Sequence, residues 1–320
     1  SEGWVDLREL NFEDGYNEFD TKIATIHGTQ KVTHSYKDAD KTVSLRTHNG
    51  FTIEGTYEHP VLVMDSKLNI KWRRLDKIKE GDHIVSLSKK NKAIWPKEDK
   101  ITVEEAKILG WLTANGRKAS FSTNDSYLAS KFVKIAEKLS KTKVRVEKSD
   151  NRVPNYHILG NYYKKLKAMG YVSGSRNKCI PLAVRTSSKR IMDAFLNAYF
   201  ECDSGINKGN LELSTASPKL ARQLHVILHQ GYDVLASRAV KYKSASNSSN
   251  PVSRPYQVFR ISGHETRKFI QAFPDAKVLR KHGNRLISRD TTSAQEHNKD
   301  YVPYISEVLR TLYAKRKVSN

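Results

Sequence analysis

The sequence predicts an α+β protein with two structurally different parts, and three observations support this prediction. Residues 1–90 contain alternating β-branched runs, as in "KTVSLRTHNGFTIEGTYEHPVLVM", without a long amphipathic helix. From residue 101 apolar residues recur at helical spacing, as in "VEEAKILGWLTANG" and "SYLASKFVKIAEKL". A pattern of helices and strand pairs then occurs twice. We therefore expect an all-β domain followed by a domain of two repeats.

The composition narrows the class of partner. The 320 residues include 56 Lys and Arg against 34 Asp and Glu, which gives a net charge of +22. Such a charge favours a polyanion, above all nucleic acid. No apolar run approaches the roughly 20 residues of a spanning helix, and no signal-peptide pattern is present. We expect an intracellular protein, cytoplasmic or nuclear, that contacts no membrane and keeps Cys179 and Cys202 as buried thiols.

Changes in composition along the chain predict the domain boundaries. A hairpin signal at Asn49-Gly50 belongs to the β domain, and a charged stretch with a proline is typical of a linker. The predicted order is a β domain at 1–90, a linker at 91–100, the two-repeat domain at 101–275 (repeats about 101–180 and 181–275) and a basic helical extension at 276–320.

The internal repeat makes two distant residues equivalent. "ILGWLTANG" matches "LNAYFECDS", so Asn115 corresponds to Asp203, 88 positions later. Each repeat has the predicted order helix, two strands, helix, two strands, helix (αββαββα). If the first helices of the two repeats pack together, with small residues such as Gly110 and Ala198 at the contact, their C-terminal ends bring Asn115 and Asp203 together.

The paired segments resemble the two motifs of the LAGLIDADG homing endonucleases over roughly residues 101–275. Enzymes of that family cut long double-stranded DNA sites, and an acid near the end of each motif binds Mg²⁺. The resemblance implies that Asp203 and Asn115 are the metal-binding and catalytic positions. It also implies a catalytic lysine before the second motif, Lys178 in "KCIP". For its partner after the second repeat we select Lys281, with Lys277 as the alternative.

The chemistry of phosphodiester hydrolysis gives an independent reason to examine these positions. A divalent metal neutralises developing charge and lowers the pKa of an attacking water, and Mg²⁺ prefers carboxylate ligands. Asn115 offers an oxygen without a charge, so we expect weaker metal binding and impaired cleavage. Three explanations stay open: a natural, weakened nuclease, an enzyme that nicks one strand, or an Asp replaced to trap an uncut complex. The intact surrounding repeat favours replacement.

Charged residues on the predicted strands are candidates for contacts with duplex DNA. The major groove admits a two-stranded ribbon, and alternate residues of a strand face the same side. "KVRVEK" therefore directs Lys143, Arg145 and Glu147 away from the core. The other DNA-binding candidates lie on strands of the second repeat and in the basic stretch that follows it: Arg238, Lys241, Lys243, Gln257, Arg260, Arg280 and Arg285.

"GFTIEGTYEHPVLV" and "WRRLDKIKEGDHIV", within the first 90 residues, resemble the start of a splicing domain of the hedgehog/intein type. The resemblance implies that Thr56 and His59 polarise a scissile peptide bond and that Ser1 attacks the preceding carbonyl. The sequence contains no closing half rich in β-structure, and Ser319 stands where a histidine precedes the final Asn in that family. We therefore expect an incomplete splicing domain.

The predicted function is site-specific, Mg²⁺-dependent cleavage of a long asymmetric DNA duplex. One chain supplies both half-sites, so we expect a monomer. The alternatives are a sequence-specific DNA-binding protein of the same fold without cleavage, a protein-splicing (intein) element, and an RNA-binding maturase. Residue 115 discriminates between cleavage and binding alone.

Overall fold

A β-rich N-terminal region precedes a domain of two α/β repeats, as the α+β prediction requires. The computed structural model describes residues 3–10, 12–25, 27–86, 95–150, 152–207, 209–244, 252–261, 263–280 and 305–318. The candidate residues Ser1, Lys281 and Arg285 lie outside these ranges.

The N-terminal region consists of antiparallel strands in three small sheets. Its strands are β1 (Gly15–Thr25) paired with β2 (Gly28–Lys37), β3 (Thr42–Arg46) paired with β4 (Thr52–Thr56), and β5 (Pro60–Met64) paired with both β6 (Ile70–Arg74) and β7 (His83–Ile84). Among its described residues, the buried hydrophobic side chains are Val61, Val63 and Leu75. So small a core does not stabilise a domain by itself, and the region therefore depends on contacts with the rest of the chain.

The two repeats have the predicted αββαββα order. The first comprises α1 (Val103–Asn115), β8 (Gly116–Arg117), β9 (Ser120–Ser122), α2 (Ser126–Ser140), β10 (Arg145–Glu147), β11 (Asn155–His157) and α3 (Tyr162–Ala168). After the short helix α4 (Leu182–Arg185), the second comprises α5 (Lys189–Phe200), β12 (Gly205–Asn207), β13 (Asn210–Thr215), α6 (Pro218–Tyr232), β14 (Ser237–Lys243), β15 (Arg254–Ile261) and α7 (His264–Ala272). A helix α8 (Ile305–Val318) lies further along the chain.

The sheets of the two repeats have the same strand order. The first is β8-β9-β11-β10 and the second is β12-β13-β15-β14, with antiparallel pairing throughout. Equivalent side chains also make equivalent hydrogen bonds. The hydroxyl of Thr123 accepts from the N–H of Asp125 at 3.0 Å, and that of Thr215 accepts from the N–H of Ser217 at 3.2 Å. Asp125 and Ser217 then cap α2 and α6.

Helices α1 and α5 pack along each other, and we call this contact the helix seam. A Cβ on Gly110 would lie 2.4 Å from the carbonyl oxygen of Phe195 and 2.8 Å from the Cβ of Ala198, so the backbones touch where the small residues were predicted. Around the seam, buried side chains of both repeats form one hydrophobic core that includes Trp111 and Tyr199. The two repeats are thus halves of a single domain.

The N-terminal region docks on the second repeat through the predicted hairpin turn. The N–H of Arg238 donates to Asn49 O at 2.9 Å, and its guanidinium donates to Gly50 O at 2.7 and 3.1 Å. Gly50 has φ +85°, and a Cβ there would lie 2.3 Å from the Arg238 carbonyl oxygen. Phe51 stacks on His225 of α6 with ring centroids 3.7 Å apart. These contacts attach the region to β14 and α6.

The described half of the predicted linker, residues 95–100, packs against the two-repeat domain. The ring of Trp95 lies 5.7 Å from that of Trp4 and 6.1 Å from that of Tyr232. The N–H of Lys100 donates to the hydroxyl of Ser187 at 2.8 Å. These residues are part of the domain surface rather than a free connection.

Two further expectations concern membranes and thiols. Cys179 and Cys202 are both buried free thiols, as predicted. Within the described parts of the chain, the helices are all too short or too polar to cross a membrane.

Candidate functional site

The ends of α1 and α5 place Asn115 and Asp203 around a common neighbour, Lys178. Asn115 is the last residue of α1 and is exposed, whereas Asp203 lies just beyond α5 and is partly exposed. The ammonium group of Lys178 donates to Ala114 O at 2.7 Å and also interacts electrostatically with Asp203. One buried lysine therefore contacts the end of the first motif and lies close to the end of the second.

A second lysine makes the symmetrical contact. Lys277 donates to Cys202 O at 3.3 Å, as Lys178 donates to Ala114 O. Each carbonyl belongs to the residue just before the candidate metal-binding position of its own repeat. Lys277 is thus the structural equivalent of Lys178. The structure therefore favours Lys277, which the sequence analysis gave as the alternative to Lys281.

Each lysine segment is held by the N-terminal cap of the opposite repeat. The hydroxyl of Ser217, which caps α6, donates to Lys178 O. The carboxylate of Asp125, which caps α2, pairs with Arg280 at 3.3 Å, and Arg280 also donates to Glu201 O at 3.2 Å. Because protein groups engage its guanidinium, Arg280 joins the two repeats, which differs from the predicted contact with DNA phosphate.

The electrostatics of the site centre on one carboxylate between two ammonium groups. Burial raises the pKa of Asp203 to about 6, while Lys178, Lys277 and a hydrogen bond from Tyr199 oppose that rise. Burial lowers the pKa of Lys178, and the negative charge of Asp203 opposes that fall. With Asn115 neutral, the site carries more positive than negative charge, which suits phosphate and weakens cation binding.

The sequence analysis did not identify two residues of the second motif that contribute to the site, Tyr199 and Glu201. Tyr199 donates a hydrogen bond to Asp203. Glu201 is buried, accepts from the indole N–H of Trp111 at 2.7 Å and pairs with Lys131, so it connects the repeats. The 88-residue offset could have identified both, because it aligns them with Trp111 and Thr113. The buried Thr113 hydroxyl has no hydrogen-bond partner.

The protein oxygens at this site fit a divalent cation that takes most of its ligands from water and substrate phosphate. The Asp203 carboxylate and the Asn115 amide oxygen are the candidate ligands, since lysines occupy the two neighbouring carbonyls. Within the described ranges, no group of three or more His, Cys, Asp or Glu residues could hold a metal. Mg²⁺ commonly binds through one or two carboxylates, waters and substrate phosphates, and this donor set agrees with that habit.

Two candidate DNA-contacting residues of the first repeat, Arg145 and Glu147, lie on β10, and Lys143 lies just before that strand. Lys143, Arg145 and Glu147 are exposed, and Val144 packs against the core. Val146 is 43% exposed, so the alternation does not hold along the whole segment. Arg145 is paired across the strands with His157, whose imidazole lies 2.9 Å from the Glu147 carboxylate.

In the second repeat the predicted set divides between two faces. Lys241 and Lys243 pair with Glu212 at 3.4 and 3.3 Å, and Glu212 lies opposite the exposed Arg260. Arg238 and Gln257 do not share this face, because the strict alternation of a strand places them on the other one. Arg238 pairs with Phe259 and is buried against the Asn49-Gly50 turn, and Gln257 pairs with Thr215 on that same face.

Two of the splicing-like residues lie next to each other in the N-terminal region. Thr56 is the last residue of β4 and is half-buried. His59 is exposed, and its backbone N–H donates to the carbonyl oxygen of Thr56 at 3.1 Å. A Cβ on Gly55 would lie 3.0 Å from the His59 ring. The Thr and His of the motif are therefore arranged in one tight turn.

Comparison with known proteins gives a family match and several partial similarities. Residues 190–273 match the LAGLIDADG-like domain family. The chain is 28% identical over 203 residues to the replication factor C small subunit of Methanocaldococcus jannaschii, covering 60% of this chain and 11% of that protein. It is 24% identical over 316 residues to the A subunit of DNA gyrase from Mycolicibacterium flavescens, covering 92% of this chain and 54% of that protein. The chain thus spans only part of these relatives.

Solved structures show weaker similarity. Mesophilic variants of the homing endonuclease I-DmoI match with a TM-score of 0.41 and 14% identity, covering 55% of this chain and 97% of theirs. I-DmoI in complex with DNA and Ca matches with a TM-score of 0.39 and 15% identity, covering 53% and 88%. The sequence match to the LAGLIDADG-like domain family thus covers the second repeat, and the first repeat has the same order of elements.

Proposed function

We propose that the protein is a metal-dependent endonuclease that reads a long, asymmetric duplex DNA site as a monomer. The observation that carries the proposal is the arrangement at the helix seam. Lys178 and Lys277 make equivalent bonds to the carbonyls before Asn115 and Asp203, so two related half-sites meet at one point. A duplex has two strands related by a similar local symmetry, which this arrangement matches.

Each residue of the proposed site has a distinct task. Asp203 and Asn115 would hold Mg²⁺, which supplies an activated water and neutralises charge on the phosphate when it is bound. Lys178 and Lys277 fix the backbone at both motif ends and present positive charge to phosphate oxygens. The rigid seam at Gly110 keeps the two half-sites at a constant separation.

The proposed DNA surface is formed by the two four-stranded sheets. Lys143, Arg145 and Arg260 are exposed on them, and Lys241 and Lys243 surround Glu212 on the second sheet. The net charge of +22 supplies the non-specific part of binding, which weakens as salt concentration rises. The sheets of two different repeats would read two different half-sites.

A selection followed by cleavage tests the proposal. The protein is used to recover duplexes from a randomised library in Ca²⁺, and the recovered duplex is then incubated with Mg²⁺. We expect a long recovered sequence that is cut by the protein, and an Asp203→Asn variant that binds it without cutting. The matched control is Asp233→Asn, another carboxylate just beyond a helix end, paired with Lys268 away from the seam. Recovery of no preferred duplex contradicts the proposal.

A binding protein without cleavage is the second candidate, and the neutral amide at residue 115 favours it. Specific recovery of a duplex that neither the protein nor its Asn115→Asp variant cuts in Mg²⁺ or Mn²⁺ supports this candidate. Cleavage by the Asn115→Asp variant alone indicates that the missing charge is the obstacle.

We also propose that the chain is a portable element of the intein type. It matches parts of the A subunit of a DNA gyrase and of the small subunit of a replication factor C, and these names describe different proteins. An insertable element explains why such proteins share a segment. Fusion of a reporter before Ser1 tests for the acyl shift. Release by hydroxylamine that is lost in His59→Ala supports it, and a stable fusion in both proteins contradicts it.

A further inference from the structure

The two half-sites have similar backbone contacts but different side chains at three equivalent positions near the ends of the first helix of each repeat. Residues 111, 113 and 115 are Trp, Thr and Asn, whereas the equivalent residues 199, 201 and 203 are Tyr, Glu and Asp. The difference is therefore not confined to the missing charge at Asn115. A single replaced aspartate does not account for it.

The second half-site provides a hydrogen-bond donor for its carboxylate. Tyr199 is 1% exposed, and its hydroxyl donates to Asp203 while Thr215 interacts with the same hydroxyl. A tyrosine hydroxyl carries its proton at neutral pH and can therefore act as a donor. A donor to one oxygen of a carboxylate leaves the second oxygen able to bind a cation.

The first half-site cannot provide such a donor. Its equivalent residue, Trp111, is fully buried, and the only N–H of its side chain already donates to the Glu201 carboxylate at 2.7 Å. The ion pair of Glu201 with Lys131 holds that arrangement in place. Asn115 consequently ends its helix as an exposed amide, whereas Asp203 is surrounded by Lys178, Lys277 and Tyr199.

We infer that the half-site of the second repeat alone is equipped for hydrolysis, with Tyr199 as its positioning residue, so that the protein nicks one strand of its duplex. This inference rests on the proposed function. In the reaction, the oxygen of one water bonds to phosphorus, one ester P–O bond of that strand breaks, and the proton of the water ends on the departing oxygen. The facing phosphodiester stays intact.

A supercoiled plasmid that carries the duplex recovered from the Ca²⁺ selection tests the strand preference. We expect Mg²⁺ to give open circles with little linear product, and a labelled duplex to show cleavage of the same strand in every molecule. Linear product formed as fast as open circles overturns the inference and leaves the proposed function standing. Failure to recover or cut any duplex overturns both.

The role of Tyr199 is tested with Tyr199→Phe, which removes the hydroxyl and keeps the ring. Its control is Tyr232→Phe, because Tyr232 is also buried and donates to a carboxylate, Asp193, at 2.7 Å. Calorimetric titration of Ca²⁺ into the protein–duplex complex should show affinity reduced about tenfold by Tyr199→Phe and unchanged by Tyr232→Phe. The Mg²⁺ concentration for half-maximal nicking should shift equally. Equal Ca²⁺ affinity in the two variants overturns the role of Tyr199.

Discussion

The two repeats show how one backbone plan supports two different sets of side chains. Both have the same strand order, the same threonine contacts beneath their caps and the same lysine-to-carbonyl bond. The sheets differ in size, since β9, β10 and β11 have three residues each, whereas β13, β14 and β15 have six, seven and eight. Polar chemistry differs as well, because Asp203 has a buried donor and Asn115 does not.

This difference separates what the fold requires from what the reaction requires. The shared features lie at backbone positions where a helix begins, ends or crosses another helix. The features that differ are side chains at positions where a helix accepts several residue types. The scaffold can therefore stay symmetrical while one half-site loses or never acquires its chemistry.

The largest expected effect comes from removing the two equivalent side chains separately. Asp203→Ala should reduce cleavage of the recovered duplex about 10³-fold, or about 4 kcal/mol, because the single charged metal ligand is lost. Asn115→Ala should reduce it by less than about threefold, since a neutral exposed amide contributes little to metal affinity. Strand-resolved gel kinetics with end-labelled duplex measure both rates. Equal losses would show that the half-sites are functionally equivalent.

The helix seam offers a second paired test. Gly110→Ala should lower the free energy of unfolding by about 3 kcal/mol, because the added Cβ collides with the backbone at Phe195. The reciprocal change, Ala198→Gly, adds no collision and should cost about 1 kcal/mol of helix propensity. Urea denaturation followed by far-UV circular dichroism measures both. A Gly110→Ala protein as stable as the parent would show that the seam is loose.

The joint between the N-terminal region and the second repeat should weaken in acid. Burial lowers the pKa of His225 to about 4, and the positive charge of Arg238 and the neighbouring His229 act in the same direction. The unfolded chain takes up this proton near pH 6.5, so the stability is complete above that pH and is lost as pH falls towards 4. By pH 5 the loss should reach about 2 kcal/mol.

Urea midpoints at pH 7.5 and pH 5.0 check this dependence. The His225→Asn variant should have a smaller difference between its two midpoints than the parent protein. The same difference in both proteins would indicate that another group controls the response to acid.

The smallest paired effect concerns the helix caps. Asp125→Ala and Ser217→Ala should each reduce stability by about 1 kcal/mol, because α2 and α6 lose a side-chain acceptor at their first turn. Ser217→Ala should also slow cleavage, since this hydroxyl holds the carbonyl of Lys178. Denaturation and cleavage assays on both variants separate the two consequences. An unchanged cleavage rate in Ser217→Ala would show that Lys178 is positioned without this bond.

The sequence was sufficient for features that depend on local pattern. The 88-residue repeat, the αββαββα order and the seam at Gly110 agree with the structure. Periodicity of 3.6 or 2 residues determines these features, and both can be counted along the chain. Strict counting would also have separated Arg238 from Lys241, because they lie three positions apart on one strand.

The sequence by itself determined the equivalence of Asn115 with Asp203, the large positive charge and the order of the elements. Only the tertiary structure decided that Lys277 mirrors Lys178, that Tyr199 supports Asp203 while Trp111 is bonded to Glu201, and that the Asn49-Gly50 turn buries Arg238. The physical reason is that backbone hydrogen bonds and hydrophobic periodicity are local. The partner of a buried polar group is chosen instead by which distant segment packs against it.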